Sequence, residues 1–336
     1  MPSNLKDVAK ALNISVSTVS RVVNNKSYVK AETREKILRA IEEMNYTPNL
    51  VARSLKNKNT RTVGVLIPDI SEDFFDFVIK GIDSALRPNN YAMILCDTGE
   101  SPEKEEEYIN LLLEKQIDGV ILATVSKEGS LFDKLFSMEI PALFIDNLPN
   151  IQKNYDSVII DNSKASEIAT EHLLKLGHKK IGIITGKIDE TTGYERLAGY
   201  KKVLTQHHIS IDEGLIRVGD YKEESGYQHM LTLLEKNPDM TAVYVISSKM
   251  TYGAIKAIQE KGLRIPDDIA LIGFDIHDAS GLMSPSITTI MQPEQTIGKV
   301  AAELMMQRLQ SKTDPISQKI VLSPELVIRK SCGFRD

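Results

Sequence analysis

The clearest chemical pattern in the sequence is a pair of short helical segments within residues 5–24, joined by a turn. Ala9 is a small residue where two such helices would touch, and Asn13 tolerates the left-handed backbone that a sharp turn requires. Val19 and Val22 provide apolar anchors at helical spacing on the second segment. The pattern predicts a helix-turn-helix whose second helix enters the major groove of DNA.

The second helix should present a polar side to the groove. Ser15 is predicted to cap its N-terminus, and the helix is predicted to run to about residue 24. Val16, Ser17, Ser20 and Arg21 point away from the valine anchors, and short hydroxyls with one arginine suit base edges and phosphates. The alternative interpretation is an ordinary helical hairpin with a serine-rich surface.

The charge distribution indicates a polyanionic partner at one end of the chain. Residues 1–62 carry twelve Lys or Arg and five Asp or Glu, a net charge of +7, whereas the rest carries −12 within an overall −5. A solvated basic tail would account for the charge, but such a tail lacks the apolar periodicity of this segment.

The sequence gives no support to several other kinds of site. Its two cysteines, Cys96 and Cys332, are too few for a disulfide scaffold or a multi-cysteine zinc site, and they fit a reducing cytosol. There is no dinucleotide-type glycine turn and no Walker-type lysine. A secretory signal and a ~20-residue apolar run are also lacking, so we expect a cytoplasmic protein with no membrane partner. Because the motifs above are missing, we expect no catalytic residue, metal or cofactor.

The elements that must position these residues fall into two classes. Helical periodicity predicts a small all-α head, in which Ile37, Leu38 and Ile41 form the core stripe of a third helix over 31–44. From residue 62 onward, β-branched strand candidates alternate with helical stretches, which predicts βαβ units and parallel sheets.

This alternation is too long for one doubly wound sheet. We therefore expect two similar α/β lobes, with a ligand cleft between them and a chain that crosses between the lobes more than once. A late helix over 294–310 and a strand over 322–328 complete the predicted pattern.

Further segments make a family resemblance specific. Besides residues 5–24, the matching segments are 28–34, 45–55 (NYTPNLVARSL), 63–71 (VGVLIPDIS), 177–181 (GHKKI), 195–200 (ERLAGY), 272–275 (IGFD) and 286–293. In this order they resemble the LacI/GalR family of transcriptional regulators over essentially the whole chain. The resemblance implies a two-lobed body like that of periplasmic binding proteins, in a regulator that acts as a homodimer.

The resemblance also implies the domain boundaries. A helix-turn-helix head covers residues 1–47, a hinge helix and linker cover 48–61, and an effector-binding and dimerisation body covers 62–336. Within the body, an N-lobe covers about 62–161 and 292–322, and a C-lobe covers about 162–291 and 323–330. No leucine heptads follow, so a tetramer held by such a tail is not expected.

In similar proteins the segment that corresponds to 49–56 folds on operator DNA and enters the minor groove. Leu55 matches a leucine wedged between base pairs, and Lys56 matches a minor-groove contact; such a wedge unstacks a step and bends the duplex. Without the resemblance, Leu55 would be assigned to a core. The predicted DNA-contacting residues are Ser15, Val16, Ser17, Thr18, Ser20, Arg21, Asn24, Tyr46, Asn49, Ala52, Leu55 and Lys56.

The second implied site is a small-molecule cleft between the lobes, with residues Phe74, Phe75, Thr192, Arg196, Tyr221, Ser247 and Asp275. Arg196 would donate paired hydrogen bonds to vicinal hydroxyls or an anion, and Asp275 would accept hydrogen bonds from hydroxyls. The aromatic rings would provide apolar faces for a sugar or a base. The alternative is that Arg196 and Asp275 form an interlobe salt bridge and that the aromatic residues are core.

Departures from the family pattern bear on the charge of the ligand. Ser247 and Ser248 stand where an Asn-Asp pair is usual, and Ile276 stands where a second Asp is usual. Lys249 and His277 lie nearby in sequence. Fewer acceptors and more donors beside a helix N-terminus favour an anionic ligand, a phosphorylated sugar or a sugar acid. A neutral sugar, with Lys249 in solvent, is the alternative.

The sequence thus predicts a ligand-responsive regulator, most simply a repressor, whose partners are operator DNA, a sugar-type effector and a second copy of itself. Two-fold symmetry of the protein would match a near-palindromic operator. The rivals are an extracytoplasmic sugar-binding protein, against which the basic head argues, and a nucleotide-using enzyme, against which the missing phosphate loop argues. A protein co-effector is left open, as is the choice between inducer and co-repressor.

Overall fold

The computed structural model describes residues 4–23, 29–44, 46, 59–126, 129–278, 281–311 and 316–334. The chain divides into two units, Met1–Thr60 and Arg61–Asp336, which are called the head and the body below. Within the described ranges, no helix is long and apolar enough to cross a membrane.

The head contains the three predicted helices, α1 (Leu5–Ala11), α2 (Val16–Val23) and α3 (Ala31–Glu43). Its core is built from Val8, Ala9, Val19, Val22, Ile37, Ala40 and Tyr46. Leu38, expected in this core, is 49% exposed. Ala40 is buried instead, because a residue three positions after Ile37 shares its face of the helix and the next residue along does not.

The body alternates strands with helices. Its strands are β1 (Thr62–Ile67), β2 (Ala92–Asp97), β3 (Gly119–Leu122), β4 (Ala142–Ile145), β5 (Asp156–Ile160), β6 (Ile181–Thr185), β7 (Ile216–Val218), β8 (Ala242–Val245), β9 (Ala270–Phe274), β10 (Thr288–Met291), β11 (Lys319–Leu322) and β12 (Glu325–Val327). Its α-helices are α4 (Asp73–Leu86), α5 (Pro102–Glu114), α6 (Ser130–Ser137), α7 (Asn162–Lys175), α8 (Thr191–Gln206), α9 (Glu223–Lys236), α10 (Ser248–Glu260) and α11 (Glu294–Gln310).

Two six-stranded sheets define the two lobes of the body. The first has the strand order β11-β5-β4-β3-β1-β2 and is parallel throughout. The second has the order β12-β10-β9-β8-β6-β7 and is parallel except for the β10–β12 pair. The chain changes sheet after β5, after β10 and after β11. The predicted two-lobed α/β fold, with parallel sheets and several crossovers, is therefore confirmed.

The end of the chain differs from the prediction. A single strand was expected over 322–328, but the structure has two short strands, β11 and β12, that belong to different sheets. Pro324 lies between them, and a proline cannot donate to a strand ladder. The edge strand β7 and the helix α6 were not anticipated, since each is too short to show a clear periodicity.

The late helix α11 belongs to the first lobe, where it packs on α4 and on β3, β4 and β5. Glycines allow the two helix backbones to touch: a Cβ at Gly81 would lie 2.2 Å from the Gln295 carbonyl oxygen, and one at Gly298 would lie 1.9 Å from that of Val78. A larger residue at either position would force the helices apart. The contact fixes α4, whose first turn borders the cleft.

Candidate functional site

The outward side of α2 is the candidate DNA-binding surface of the head. Ser15, Val16, Ser17 and Arg21 are exposed, and Val16 is exposed to 43% although it is apolar. Thr18 and Ser20 are half-buried. The opposite side is anchored by the buried Val19 and Val22. The structure therefore presents the predicted polar side of α2 to solvent.

The turn before α2 is held by local hydrogen bonds. The Ser15 Oγ accepts a hydrogen bond from the Thr18 backbone N–H at 3.1 Å, so Ser15 caps the helix as predicted. Asn13 has φ +51°, the left-handed conformation expected for the turn. Asn4 and Asp7 form a capping box at the start of α1, which the Asn-x-x-Asp spacing would have revealed.

Six of the predicted DNA-contacting residues are not placed on the exposed side of α2 by the structure. Tyr46 is 8% exposed and packs in the head core, which accounts for its ring without any role at the DNA. Asn24, Asn49, Ala52, Leu55 and Lys56 lie outside the described residues.

The candidate effector site is a narrow cavity of about 50 Å³ between the two lobes. All seven predicted effector residues line it: Phe74, Phe75, Thr192, Arg196, Tyr221, Ser247 and Asp275. The residues that sequence reasoning missed are Pro68, Glu72, Glu100, Asp146, Asn147, Glu190, Ile246, Ser248, Phe274 and Gln292.

Arg196 is the cation of the cavity wall, and it is firmly held. Its Nε donates to Asn162 Oδ1 and its Nη1 to the Ile246 carbonyl, both at 2.8 Å. The guanidinium lies 3.8 Å from the centre of the Phe274 ring, a cation–π contact. These bonds use Nε and Nη1, and among the described residues Nη2 donates no hydrogen bond.

Asp275 is held on the same lobe as Arg196, directly after β9. Its carboxylate accepts hydrogen bonds from the Gln292 backbone N–H at 2.9 Å and from Gln292 Nε2 at 2.7 Å. Burial, together with the nearby Glu294 charge, raises the pKa of Asp275 to about 7. Among the described residues no salt bridge joins Arg196 to Asp275, so the interlobe salt-bridge alternative is wrong.

Tyr221 closes one side of the cavity. Its hydroxyl lies 3.1 Å from the Thr192 hydroxyl, and its backbone has φ +67°, an uncommon value for a residue with a side chain. Gly186 lies beneath the ring, where a Cβ would come within 2.2 Å of the Tyr221 Cζ. Thr192 is fixed in turn by its backbone N–H, which donates to Asn147 Oδ1 at 3.1 Å.

The first lobe contributes carboxyl groups that were not predicted. Asp146 follows β4 directly with φ +60°, a placement that mirrors Asp275 after β9 with φ +50°. Burial raises the pKa of Asp146 to about 6 and that of Glu72 to about 8. The position of Asp146 after a wholly apolar strand was the available signal, because ligands of open parallel sheets lie at the carboxyl ends of strands.

The basic groups proposed to favour an anionic ligand do not line the cavity. Lys249 Nζ bonds to Asp69 and, at 2.6 Å, to Ser71 Oγ of the first lobe. His277 Nε2 lies 2.9 Å from Glu294 Oε1, and its ring packs against Phe77. The premise of the anionic-ligand prediction is therefore wrong, since Lys249 and His277 each pair with a carboxylate away from the wall, and the wall itself carries five carboxyl groups.

The two parts of the chain match known sequence families. Residues 4–49 match the model described as "Bacterial regulatory proteins, lacI family". Residues 60–327 match "Periplasmic binding proteins and sugar binding domain of LacI family". The chain is also 34% identical over 330 residues to the HTH-type transcriptional repressor PurR of Vibrio atlanticus, a match that covers 98% of each protein.

Solved structures agree with the sequence families. A Lac repressor dimer bound to operator and the anti-inducer ONPF matches with a TM-score of 0.87 and 30% identity over 99% of each chain. A complex of the transcriptional regulator CelR with cellobiose matches with a TM-score of 0.76 and 29% identity, over 98% of this chain and 99% of that one. The chain is therefore a member of the LacI family of ligand-responsive, DNA-binding transcriptional regulators, and not of an enzyme family.

Proposed function

We propose that the protein is a repressor that binds a near-palindromic operator as a homodimer and releases or holds it in response to a sugar-type effector. One observation carries the proposal: a single chain joins an exposed helix-turn-helix surface to a two-lobed body with an interlobe cavity. The similar PurR proteins are named repressors, and the similar Lac repressor was solved as a dimer on operator. Operator binding would place the protein in the cytoplasm.

The head supplies the sequence-specific contacts in this proposal. Ser17, Ser20 and Arg21 would contact base edges and phosphates from α2. Leu55 and Lys56 would act from the hinge, where an apolar wedge bends the duplex and allows more protein surface to dock.

The body supplies the response. Several contacts link the lobes around the cavity, among them Lys187 Nζ to Glu100 Oε2 at 2.6 Å and Asn147 Nδ2 to Glu190 Oε2 at 3.1 Å. A ligand that binds better to one arrangement of the lobes would shift their equilibrium, and operator affinity would change by linkage. The CelR complex with a sugar supports a sugar-type effector here.

The test is to sequence the DNA that the purified full-length protein retains from genomic fragments, with and without candidate sugars. We expect a motif of two inverted half-sites, a binding stoichiometry of two chains per site, and a change in retention with one of the sugars. Retention of DNA without any common motif would contradict the proposal. A single half-site bound by one chain would contradict its homodimer part.

A further inference from the structure

We infer that the contact of Lys249 with Asp69 and Ser71, called the latch below, holds the two lobes closed over the cavity and sets how readily an effector enters. The inference rests on the proposed function, because it concerns the regulation of the same cavity. It gives Lys249 a role other than the effect on ligand charge that was expected from the sequence.

The first observation is that the Lys249 side chain crosses from one lobe to the other. Lys249 lies in the first turn of α10 in the second lobe, and its Nζ donates to the Asp69 carboxylate and, at 2.6 Å, to the Ser71 hydroxyl of the first lobe. Asp69 is itself held in place, since its Oδ1 accepts hydrogen bonds from the backbone N–H and the hydroxyl of Ser71, at 2.8 and 2.6 Å. Burial raises the pKa of Asp69, but the bonds from Lys249 and Ser71 lower it below its ordinary value, so the carboxylate is charged at neutral pH.

The second observation is that the latch lies at the rim of the cavity. On the second lobe, the two residues before Lys249 line the cavity, and on the first lobe, Pro68 and Glu72 line it on either side of the segment 69–71. The side chains of Lys249 and Asp69 are only 25% and 33% exposed. Partial burial reduces the screening by water, so this pair should hold the lobes together more strongly than a fully exposed ion pair would.

The third observation is that the cavity is too narrow for a sugar in this arrangement of the lobes. Its volume of about 50 Å³ is far below the roughly 300 Å³ or more of small-molecule sites. The lobes must therefore move apart before a sugar-type effector can bind, and each side-chain contact across the cleft opposes this movement. Lys187 pairs with Glu100 elsewhere across the cleft, at 2.6 Å, and this contact remains when Lys249 is replaced. Loss of the latch should therefore favour opening without separating the lobes completely.

The test measures how often the cavity opens, from the reaction of a thiol placed inside it. In the full-length protein, Thr192→Cys puts a thiol on the cavity wall at a position that is 3% exposed. N-ethylmaleimide reaches this thiol when the lobes separate, so its alkylation rate, followed by peptide mass spectrometry, is proportional to the open fraction. We expect Lys249→Met to raise this rate about tenfold, the scale of one charge-assisted hydrogen bond.

Two native cysteines and one matched variant serve as controls. Cys96 is buried in the first lobe and Cys332 in the second, so each reacts only when its own lobe unfolds, and neither rate should change in Lys249→Met. Lys256→Met removes an exposed lysine from the same helix, where Nζ lies 5.4 Å from the centre of the Tyr227 ring of its own lobe. This variant should leave the reaction of the introduced thiol unchanged.

Two further measurements assign the effect to the contact between Lys249 and Asp69. Asp69→Asn removes the partner charge and should raise the rate as Lys249→Met does, whereas the double variant should react no faster than either single variant. Sodium chloride screens the pair, so the rate should increase with salt while Lys249 is present, and this dependence should weaken in Lys249→Met.

The inference is overturned if Lys249→Met leaves the rate of the introduced thiol unchanged, if Lys256→Met raises it equally, or if Cys96 or Cys332 is accelerated to the same extent. Retention of DNA by the same preparations separates this inference from the proposed function. A retained motif together with an unchanged thiol rate would overturn the latch and keep the regulator. A faster thiol reaction in Lys249→Met, without motif-specific DNA retention by any preparation, would overturn the regulator and keep the latch.

Discussion

The outward side of α2 and the interlobe cavity are the two candidate recognition surfaces, and they are built in opposite ways. On α2 the predicted contacts Ser17 and Arg21 are exposed, and the apolar residues are turned inward. In the cavity, Arg196 and Asp275 are 4% and 5% exposed and each is held by two hydrogen bonds. The candidate ligand-binding groups of the cavity are therefore also structural groups, whereas the candidate DNA contacts Ser17 and Arg21 of α2 are not.

The difference follows from the size and charge of the two ligands. A DNA duplex is larger than the helix that contacts it, so the contacting residues stay in solvent and their affinity depends strongly on salt. A small molecule is enclosed, so its contacts are fixed before it binds and their charges lie in a medium of low polarity. Substitutions should therefore separate binding from folding on α2 and should couple them in the cavity.

Arg196→Ala should have the largest effect. It removes the proposed effector contact and also leaves Asn162 and the Ile246 carbonyl without their donor. We therefore expect loss of the effector response and about 2–4 kcal/mol lower free energy of unfolding. Denaturant unfolding and effector-dependent DNA retention measure the two effects. Arg87→Ala, at a side chain that is 79% exposed, is the control and should change neither. Normal stability of Arg196→Ala would contradict the coupling of binding and folding in the cavity.

Arg21→Ala should weaken DNA binding without weakening the fold. Loss of a base-edge or phosphate contact costs about 1–3 kcal/mol of binding free energy, and the slope of log affinity against log salt should become shallower if the contact is to phosphate. Fluorescence anisotropy with an operator fragment at several salt concentrations measures both. Arg39→Ala removes the same charge from an exposed site on α3 and serves as the control. A lower melting temperature of Arg21→Ala would show that this predicted DNA contact on α2 also stabilises the folded head.

The cavity should make the stability of the body depend on pH. Glu72, Asp146 and Asp275 have pKa values raised to about 8, 6 and 7, above the 4.5 or 3.8 of the exposed groups. The folded protein therefore retains protons that the unfolded chain loses, and this contribution to the free energy of unfolding, complete below about pH 4, is lost as the pH rises to about 8.

Each such group can contribute at most about 1.4 kcal/mol per pH unit. Denaturant unfolding between pH 5 and pH 8 measures the slope. Asp275→Asn, which cannot titrate, should flatten it between about pH 5 and pH 7. An unchanged slope in this variant would show that Asp275 does not carry the effect.

The smallest effect is expected at Ser15, where capping and DNA contact meet. Ser15→Ala should lower the stability of the head by about 1 kcal/mol, because the cap on the Thr18 N–H is lost. Ser15→Asp keeps the cap but adds a negative charge, so it should retain stability and lose operator affinity. Thermal unfolding and anisotropy distinguish the two. If Ser15→Asp and the unchanged protein bind DNA equally well, Ser15 does not contact the operator.

Local patterns determined much of this protein from its sequence. The turn at Asn13, the cap at Ser15 and the valine anchors of α2 lie close together in the chain, so their spacing was enough to predict a helix-turn-helix. The regular alternation of apolar strands with helices likewise predicted parallel sheets in two lobes. Edge elements such as β7, and the break at Pro324 between β11 and β12, were missed because short segments give little periodic signal.

The tertiary structure alone decided which charges face the cavity. Lys249 and His277 are neighbours of the site in sequence, but across the cleft each meets an acidic partner from the other lobe, which removes it from the wall. Glu72 and Asp146 carry no motif, and they reach the cavity because one begins α4 and the other follows β4 with a left-handed backbone. Periodicity fixes which face of an element is buried, whereas the charge of a site between two lobes depends on which residues the packed lobes bring together.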